Sequence, residues 1–177
     1  MFRVAGIERY SIVDGEGWRY TIFFQGCKHN CEGCHNPETH SFDCGEEMTD
    51  DDILNDLADC DYARLMNITL SGGDPFFQAG KIKNLCIKLK ALGYNIWAYT
   101  GFEFERFLSV KNGGQEQWVN DAMIELLNYI DVVVDGRFIL ARRTLDCLYR
   151  GSDNQRIIDV QVSLKENKVI LYKLGEQ

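Results

Sequence analysis

The sequence predicts an α/β fold with a mostly parallel sheet. Segments typical of strands and of helices alternate along most of the chain, which is the order that parallel strands with crossover helices require. Of the 177 residues, 45% are hydrophobic and 26% are charged, as in an ordinary globular domain. Unusual polar or glycine-rich groups directly follow four predicted strands. The carboxyl ends of parallel strands share one edge of a sheet, so we expect a single domain over residues 1–177 with a binding site at that edge.

The first predicted elements are a turn-rich segment, a strand and a helix. Residues 13–17 contain two glycines, so we expect the chain before the first strand to be dominated by turns. Residues 19–25 are rich in β-branched and aromatic side chains and predict a strand that ends at Gly26. Thr49 and Asp52 have the spacing of a capping box, which predicts the start of a helix.

Two further strands and three helices are predicted in the middle of the chain. Residues 67–70 and 95–99 are the strands, and the shorter helices are expected over residues 103–109 and 115–128. The helix between the two strands should stop at Gly93. Its apolar side chains recur at helical spacing: Ile82, Leu85, Cys86, Leu89 and Leu92.

The chain is predicted to end with three strands. Residues 131–135 have the composition of a buried strand, and residues 156–164 and 168–172 are expected to form a terminal strand pair. With so few strands, we expect the sheet to form a partial (β/α) barrel rather than a closed barrel of eight strands.

Charge and cysteine content narrow the class of protein. The net charge of −8 argues against broad attraction to nucleic acid. No segment has the length of a membrane span or the pattern of a signal peptide. The seven cysteines are an odd number and unevenly spaced, so we expect no disulfide framework and a location in the reducing cytoplasm.

Three cysteines form the clearest motif in the chain. Cys27, Cys31 and Cys34 have the spacing C-x3-C-x2-C, and thiolates this close repel one another unless a metal neutralises them. One alternative is a zinc-stabilised binding module, which needs a fourth protein ligand. The other is a four-iron cluster, which usually takes four thiolates and here would leave one iron open to a ligand. Four nearby residues could complete a zinc site: His29, His35, His40 or Cys44.

Polar and glycine residues after the later strands have structural and functional interpretations. Gly72 and Gly73 suit a tight turn, but they also let the backbone approach a ligand closely. An open iron on the same edge favours ligand binding, with Asp74 contacting a cationic amino group. Asp135 and Arg137 could form an ion pair without further function.

Other side chains that could attract attention are expected to be structural. We expect the hydrophobic core to include Trp97, Trp118 and Cys86. Three more cysteines carry no metal-binding spacing, and we assign them no role: Cys44, Cys60 and Cys147.

The cysteine motif, followed by Gly-Gly-Asp-Pro after the second strand, resembles the radical S-adenosylmethionine superfamily. Four further stretches are similar to the activating proteins of anaerobic ribonucleotide reductase: residues 14–19, 97–102, 134–138 and 150–156. The similarity spans nearly the whole chain. The cysteine motif is common to the superfamily, whereas the last of the four stretches is specific. The resemblance therefore implies one radical S-adenosylmethionine domain with a partial barrel.

The resemblance also implies a reaction. Cys27, Cys31 and Cys34 would hold a [4Fe-4S] cluster whose open iron is chelated by the methionine end of S-adenosylmethionine. Reductive cleavage of the sulfonium would give a 5′-deoxyadenosyl radical, which takes a hydrogen atom from a glycine of the partner reductase. The electron would come from a donor such as flavodoxin. The cofactors carry the difficult chemistry, and the protein supplies placement.

Residues that match the family's motifs are implied to bind S-adenosylmethionine. The methionine amino end would contact Gly72, Gly73 and Asp74. The adenosine would lie against Gly33, Cys34 and His35 of the cysteine loop. The ribose or the methionine carboxylate would be reached by Thr100, Asp135 and Arg137.

Three positions depart from the family pattern. Gly33 stands where an aromatic residue is frequent, Glu16 stands where proline is common, and Asp74 replaces a frequent glutamate. We expect His35 to supply the adenine packing instead of residue 33. An alternative activity is activation of another glycyl radical enzyme such as pyruvate formate-lyase, but the short chain and the stretch 150–156 argue against it.

Overall fold

A computed structural model describes residues 1–175 and shows a seven-stranded sheet with helices packed against it. The strands are β1 (Phe2–Ser11), β2 (Arg19–Phe24), β3 (Glu46–Met48), β4 (Asn67–Gly72), β5 (Ile96–Tyr99), β6 (Val132–Asp135) and β7 (Arg156–Asp159). The helices are α1 (Asp50–Ala58), α2 (Ala79–Ala91), α3 (Phe104–Lys111), α4 (Asp121–Leu127) and α5 (Val160–Glu166).

The strand order is β3-β1-β2-β4-β5-β6-β7. The four central strands β2, β4, β5 and β6 run parallel, whereas β1, β3 and β7 are antiparallel to their neighbours. Within residues 1–175 no pairing joins β3 to β7, so the sheet is open. The predicted α/β class and the parallel arrangement of the central strands are confirmed.

The two faces of the sheet are covered differently. Because side chains alternate along a strand, Ile96 and Ala98 of β5 enter the larger core, which contains the buried side chains of α1 to α4. Trp97 enters a smaller cluster on the opposite face, where Tyr149 and Tyr172 pack around it. That opposite face is therefore covered by irregular chain rather than by helices α1 to α4.

Several local predictions are confirmed. Thr49 and Asp52 form a reciprocal capping box at the start of α1. Gly93 has φ of 89° just after α2, which is the left-handed conformation expected where a helix stops at glycine. Cys86 and Trp97 are fully buried.

The prediction for the beginning of the chain is wrong. β1 is a ten-residue strand that pairs with β2 on one side and β3 on the other, and turns begin only after Ser11. Gly6 and several exposed charged side chains weaken the alternating pattern, because β1 lies towards the edge of the sheet.

The predicted terminal strand pair is only partly correct, because residues 156–159 form a strand but residues 160–166 form a helix. β7 ends at Asp159, whose side chain accepts a hydrogen bond from the backbone N–H of Val162 and caps α5. Leu171 forms only an isolated bridge with Ile158. An N-cap aspartate inside a run of β-branched residues thus converts the end of the run into a helix.

Two smaller corrections concern the middle of the chain. The helix predicted over residues 115–128 begins only at Asp121, where the side chain of Asn120 caps α4. Trp118, expected in the core, is exposed and has φ of 69°. No helix within residues 1–175 has the length and apolar character needed to cross a membrane.

Candidate functional site

The cysteine loop follows β2 and is held against a second loop segment. The backbone N–H of Gly26 donates to Thr39 O at 2.7 Å, and that of Cys27 donates to His40 O at 3.0 Å. Cys27, Cys31 and Cys34 are partly buried and line one cavity of about 710 Å³. The three cysteines of the motif therefore share one cavity.

The protein environment opposes ionisation of the free thiols of Cys27 and Cys34. Burial raises the pKa of Cys27 to about 12, and the neighbouring Asp74 carboxylate adds to the rise. Burial also raises the pKa of Cys34. Backbone hydrogen bonds at His29 and Asn30 act in the opposite direction on Cys27. Since a metal binds the thiolate, a cationic centre held by these sulfurs would have to offset the unfavourable effect of burial on ionisation.

The three thiols line a space that is larger than a single metal ion needs. Within the described residues 1–175, no group of three or more His, Cys, Asp or Glu side chains is placed to hold one metal ion. A four-iron cluster, the alternative considered from sequence, is a larger group than one ion. The cavity beside Cys27, Cys31 and Cys34 provides room for such a group.

Asp74 is the centre of a buried network behind the cysteine loop. His29 Nε2 lies 2.9 Å from Asp74 Oδ2, and Thr100 Oγ1 donates to the same oxygen at 2.8 Å. The backbone N–H groups of Gly101 and Phe76 also donate to this carboxylate, at 3.0 Å each. Asp74 is fully buried and joins the loops after β2, β4 and β5.

Gly72 and Gly73 occupy positions that side chains could not. Gly72 has φ of 95°, and a Cβ there would lie 2.4 Å from Phe24 N. A Cβ on Gly73 would lie 2.6 Å from Gly26 O. The tight turn is therefore required for packing β4 against the cysteine loop. Both glycines also line the cavity, so the structural and ligand-binding interpretations are compatible.

The predicted site residues divide between two adjoining cavities. Alongside the cysteines, the 710 Å³ cavity is lined by His35, Gly72, Gly73 and Thr100. A neighbouring cavity of about 940 Å³ is lined by Asp135 and Arg137. The two cavities share lining residues: Cys31, Gly101, Gly136 and Phe138. Gly33 and Asp74 line neither cavity.

Asp135 and Arg137 do not form the ion pair considered from sequence. Asp135 accepts hydrogen bonds from Arg156 at 2.5 and 3.0 Å and from the backbone N–H of Phe104 at 2.8 Å. Arg137 instead donates to the backbone carbonyl of His29, inside the cysteine loop. Arg156 also pairs with Glu105, and its pKa is raised by these hydrogen bonds.

The side chain of Gln155 makes hydrogen bonds that fix the conformation of the stretch 150–156. Its Oε1 accepts hydrogen bonds from the N–H groups of Gly151 and Ser152 at 2.8 and 3.2 Å. Its Nε2 donates to Gly136 O at 2.9 Å. The side chain of Asn154 donates to the carbonyl of Arg137. The stretch therefore clamps the segment after β6 to the cavity wall, a role that the sequence motif alone did not reveal.

His29 and His35 have different environments within the cysteine loop. His29 packs edge-on against Phe102, with ring centroids 4.6 Å apart, in addition to its contact with Asp74. The ring of His35 lies 4.8 Å from that of Phe138, at the cavity wall. His29 is thus occupied within the protein, whereas His35 remains available to a ligand in the cavity.

Comparisons with known proteins agree with this geometry. A family model described as a 4Fe-4S single cluster domain matches residues 13–158. The anaerobic ribonucleoside-triphosphate reductase-activating protein of Escherichia coli strain K12 is 34% identical over 151 residues, covering 81% of this chain and 90% of the relative. The protein of the same name from Haemophilus influenzae is 32% identical, covering 82% of this chain and 90% of the relative.

A viral relative extends the comparison. The anaerobic ribonucleoside-triphosphate reductase-activating protein of Enterobacteria phage T4 is 33% identical over 149 residues, covering 82% of this chain and 86% of the relative. The match to the cluster-domain model includes Cys27, Cys31 and Cys34. The chain belongs to the 4Fe-4S single cluster domain family and, within it, to the anaerobic ribonucleoside-triphosphate reductase-activating proteins.

Proposed function

We propose that this chain is an enzyme that activates an anaerobic ribonucleoside-triphosphate reductase by generating a glycyl radical on it. The single observation that carries the proposal is the placement of Cys27, Cys31 and Cys34 on one cavity beside the carboxyl ends of parallel strands. The names of the relatives supply the identity of the protein substrate. They also favour this reductase over pyruvate formate-lyase.

The three cysteines would hold a [4Fe-4S] cluster, and S-adenosylmethionine would occupy the cavity beside it. When bound, these groups supply an electron and a species able to remove a hydrogen atom from carbon. The protein contributes a partly buried wall that limits access of water to the reacting groups. Backbone hydrogen bonds at Cys27 and Cys34 would stabilise the thiolate ligands.

We assign the binding of S-adenosylmethionine to residues on the walls of the two cavities and to Gly33 of the cysteine loop. Their backbone and side-chain groups would contact the methionine, ribose and adenine: Gly33, Cys34, His35, Gly72, Gly73, Thr100, Asp135 and Arg137. For Asp74 we propose a positioning role, because its oxygens already accept hydrogen bonds from His29, Thr100 and two backbone N–H groups. It would fix the position of Thr100 relative to the cysteine loop and would not contact the methionine amino group.

Three finer points belong to the same proposal. The open sheet is assigned to the radical S-adenosylmethionine type of partial barrel, formed by one domain. A flavodoxin-like protein is the proposed electron donor. The cytoplasm is the proposed location, because seven free cysteines suit a reducing compartment.

The test is anaerobic reconstitution with iron and sulfide, followed by reduction with dithionite in the presence of S-adenosylmethionine and the reductase. Electron paramagnetic resonance should show a glycyl radical on the reductase. An intact cluster that produces no radical would overturn the proposal. A radical formed only on pyruvate formate-lyase would identify the alternative activase.

Metal analysis tests the ligand assignment separately. We expect Cys31→Ala to abolish cluster binding, whereas Cys44→Ala, which changes an exposed cysteine outside the motif, should retain wild-type iron and sulfide. Full iron and sulfide in Cys31→Ala would refute the assignment. Stoichiometric zinc without sulfide in anaerobically purified protein would support the zinc-stabilised binding module.

A further inference from the structure

Exposed aliphatic side chains border the cavity that contains the three cysteines. Ile12 and Val13, between β1 and β2, are 60% and 71% exposed. Leu145 and Leu148, from the segment between β6 and β7, are 92% and 62% exposed. All four line the cavity, and we call them the aliphatic rim.

The leucines of the aliphatic rim lie on an anchored loop. Arg143 and Ser152 form an antiparallel bridge that closes the loop at its base. The hydroxyl of Tyr99 donates to Tyr149 O at 2.9 Å, which ties the loop to β5. Gln155 accepts from the two backbone N–H groups that follow Arg150. The loop therefore has a fixed base from which Leu145 and Leu148 project into solvent.

Binding of a small ligand in the cavity does not explain why these four apolar side chains are exposed. A ligand beside the cysteine loop would contact Gly72, Gly73 and Thr100, whereas Leu145 is 92% exposed. Apolar side chains grouped at the opening of a site are typical of surfaces that contact another protein. The chemistry at this cavity, as proposed above, takes a hydrogen atom from a polypeptide glycine. A segment of the partner must therefore enter through the mouth.

We propose that the aliphatic rim is the docking surface for the glycine-bearing segment of the reductase. Apolar side chains on either side of the glycine would pack against Leu145 and Leu148 on one side and Ile12 and Val13 on the other. Glycine has no side chain, so its Cα can approach the cavity closely while its neighbours remain at the rim. This inference rests on the proposed function and adds the surface that recognises the protein substrate.

A second apolar surface provides the rival location. Trp18 and Met66 immediately precede β2 and β4, and with Tyr62 and Leu65 they line a separate cavity. This surface lies at the amino ends of the parallel strands, opposite the cysteine loop. A glycine docked there could not reach the cysteine cavity, so it is the natural control surface.

The test compares two double variants of the full-length, cluster-loaded protein. Leu145→Ser with Leu148→Ser changes the aliphatic rim. Tyr62→Ser with Leu65→Ser removes two side chains of the control surface that are 63% and 75% exposed. For the rim variant, the reductase concentration that gives half-maximal glycyl radical formation should rise by about tenfold or more, with an unchanged rate at saturation. The control variant should match the wild type.

A second readout separates docking from cofactor binding. Dithionite-driven cleavage of S-adenosylmethionine without the reductase should remain within about twofold of the wild type in the rim variant, since Leu145 and Leu148 line the cavity but are largely exposed and are not among the residues assigned to bind the cofactor. Ile12→Ser with Val13→Ser should reproduce the loss of reductase affinity from the other side of the mouth. Thermal unfolding of each variant checks that the fold is retained.

Four outcomes would overturn the docking proposal. The first is an unchanged half-maximal reductase concentration in both rim variants. The second is a loss of reductase-free S-adenosylmethionine cleavage in the rim variants that is as large as their loss of glycyl radical formation, which would place the leucines in the cofactor site. The third is an effect in the control variant alone. The fourth is a wild-type dimer that the rim variant dissociates without any change towards the reductase, which would identify a second copy as the occupant. Absence of any glycyl radical with wild-type protein would instead remove the proposed function itself.

Discussion

At the scale of single residues, His29 connects the metal-binding motif to the rest of the site. It lies between Cys27 and Cys31 in sequence, yet its imidazole contacts Asp74, which is 45 residues away. The ring also packs against Phe77 and Phe102. The position of the cysteine loop therefore depends on a residue that binds no metal in our assignment.

We expect His29→Ala to lower the free energy of unfolding by about 1–3 kcal/mol, since it removes a donor from the buried Asp74 carboxylate. His29→Gln can still donate a hydrogen bond and should recover part of this loss. Urea unfolding of metal-free protein under reducing conditions measures the change. His40→Ala, in the same part of the chain but outside the Asp74 network, is the control. Equal losses in the two alanine variants would contradict the role assigned to His29.

Residue types and spacing were sufficient to predict the cysteines, the two glycines and Thr100 as members of one site. They were insufficient for the contacts that organise it. His29 with Asp74, and Asp135 with Arg156, are brought together by the register of separate strands. No local pattern encodes such partners, because each could have formed a hydrogen bond with several other side chains or with water.

At the scale of elements, the successes and errors have a common physical basis. β5 and β6 were predicted because strands buried on both faces are almost continuously apolar. β1 was missed because much of it is exposed and interrupted by charge. The end of β7 was missed because helix capping by Asp159 overrides the strand preference of the residues after it.

The segment 150–156 acts as an element without regular secondary structure, and Gln155 is its central contact. Gln155→Ala should speed hydrogen–deuterium exchange of peptides covering residues 136–152, because the N–H groups of Gly151 and Ser152 and the carbonyl of Gly136 lose their partner. Mass spectrometry locates the change. Gln161→Ala is the matched control, since its side chain bonds instead to the carbonyls of Leu127 and Ile130.

The control should speed exchange near the end of α4 and leave residues 136–152 unchanged. If both variants gave the same exchange pattern, a local clamp by Gln155 would be excluded. A selective change in residues 136–152 would also show that the base of the aliphatic rim depends on this glutamine.

At the scale of the whole molecule, the candidate site residues lie at one end of the parallel strands, whereas the buried core residues come from strands across the whole sheet. The four strand ends that carry the site were recognisable because a parallel arrangement brings consecutive strand–loop junctions to one edge. The antiparallel strands β1 and β3 lie beyond β2 and needed the structure to be found. A polar contact with α1 contributes to the attachment of β1 to the parallel strands.

That contact makes one contribution to stability dependent on pH. Asp56 of α1 accepts hydrogen bonds from Arg9 of β1 and, at 2.6 Å, from the hydroxyl of the buried Tyr20 of β2. The hydrogen bond from Arg9 lowers the pKa of Asp56, burial opposes the shift, and Tyr20 adds to it. Because the folded-state pKa is lowered, the stabilisation is present above the unfolded-state value of about 3.9 and is lost as pH falls through the lower folded-state value.

We therefore expect Asp56→Asn to be less stable than the wild type by about 1 kcal/mol at neutral pH, since hydrogen bonds to a charged carboxylate are replaced by weaker ones to an amide. The difference should shrink below about pH 4, where protonation removes the same charge from the wild type. Urea unfolding at pH 6 and pH 3 measures both values, with the exposed Asp61→Asn as a control for loss of one negative charge. A difference that is equal at the two pH values would show that Asp56 acts through packing alone. A difference confined to pH 6 would assign part of the attachment of β1 and β2 to α1 to this ionised carboxylate.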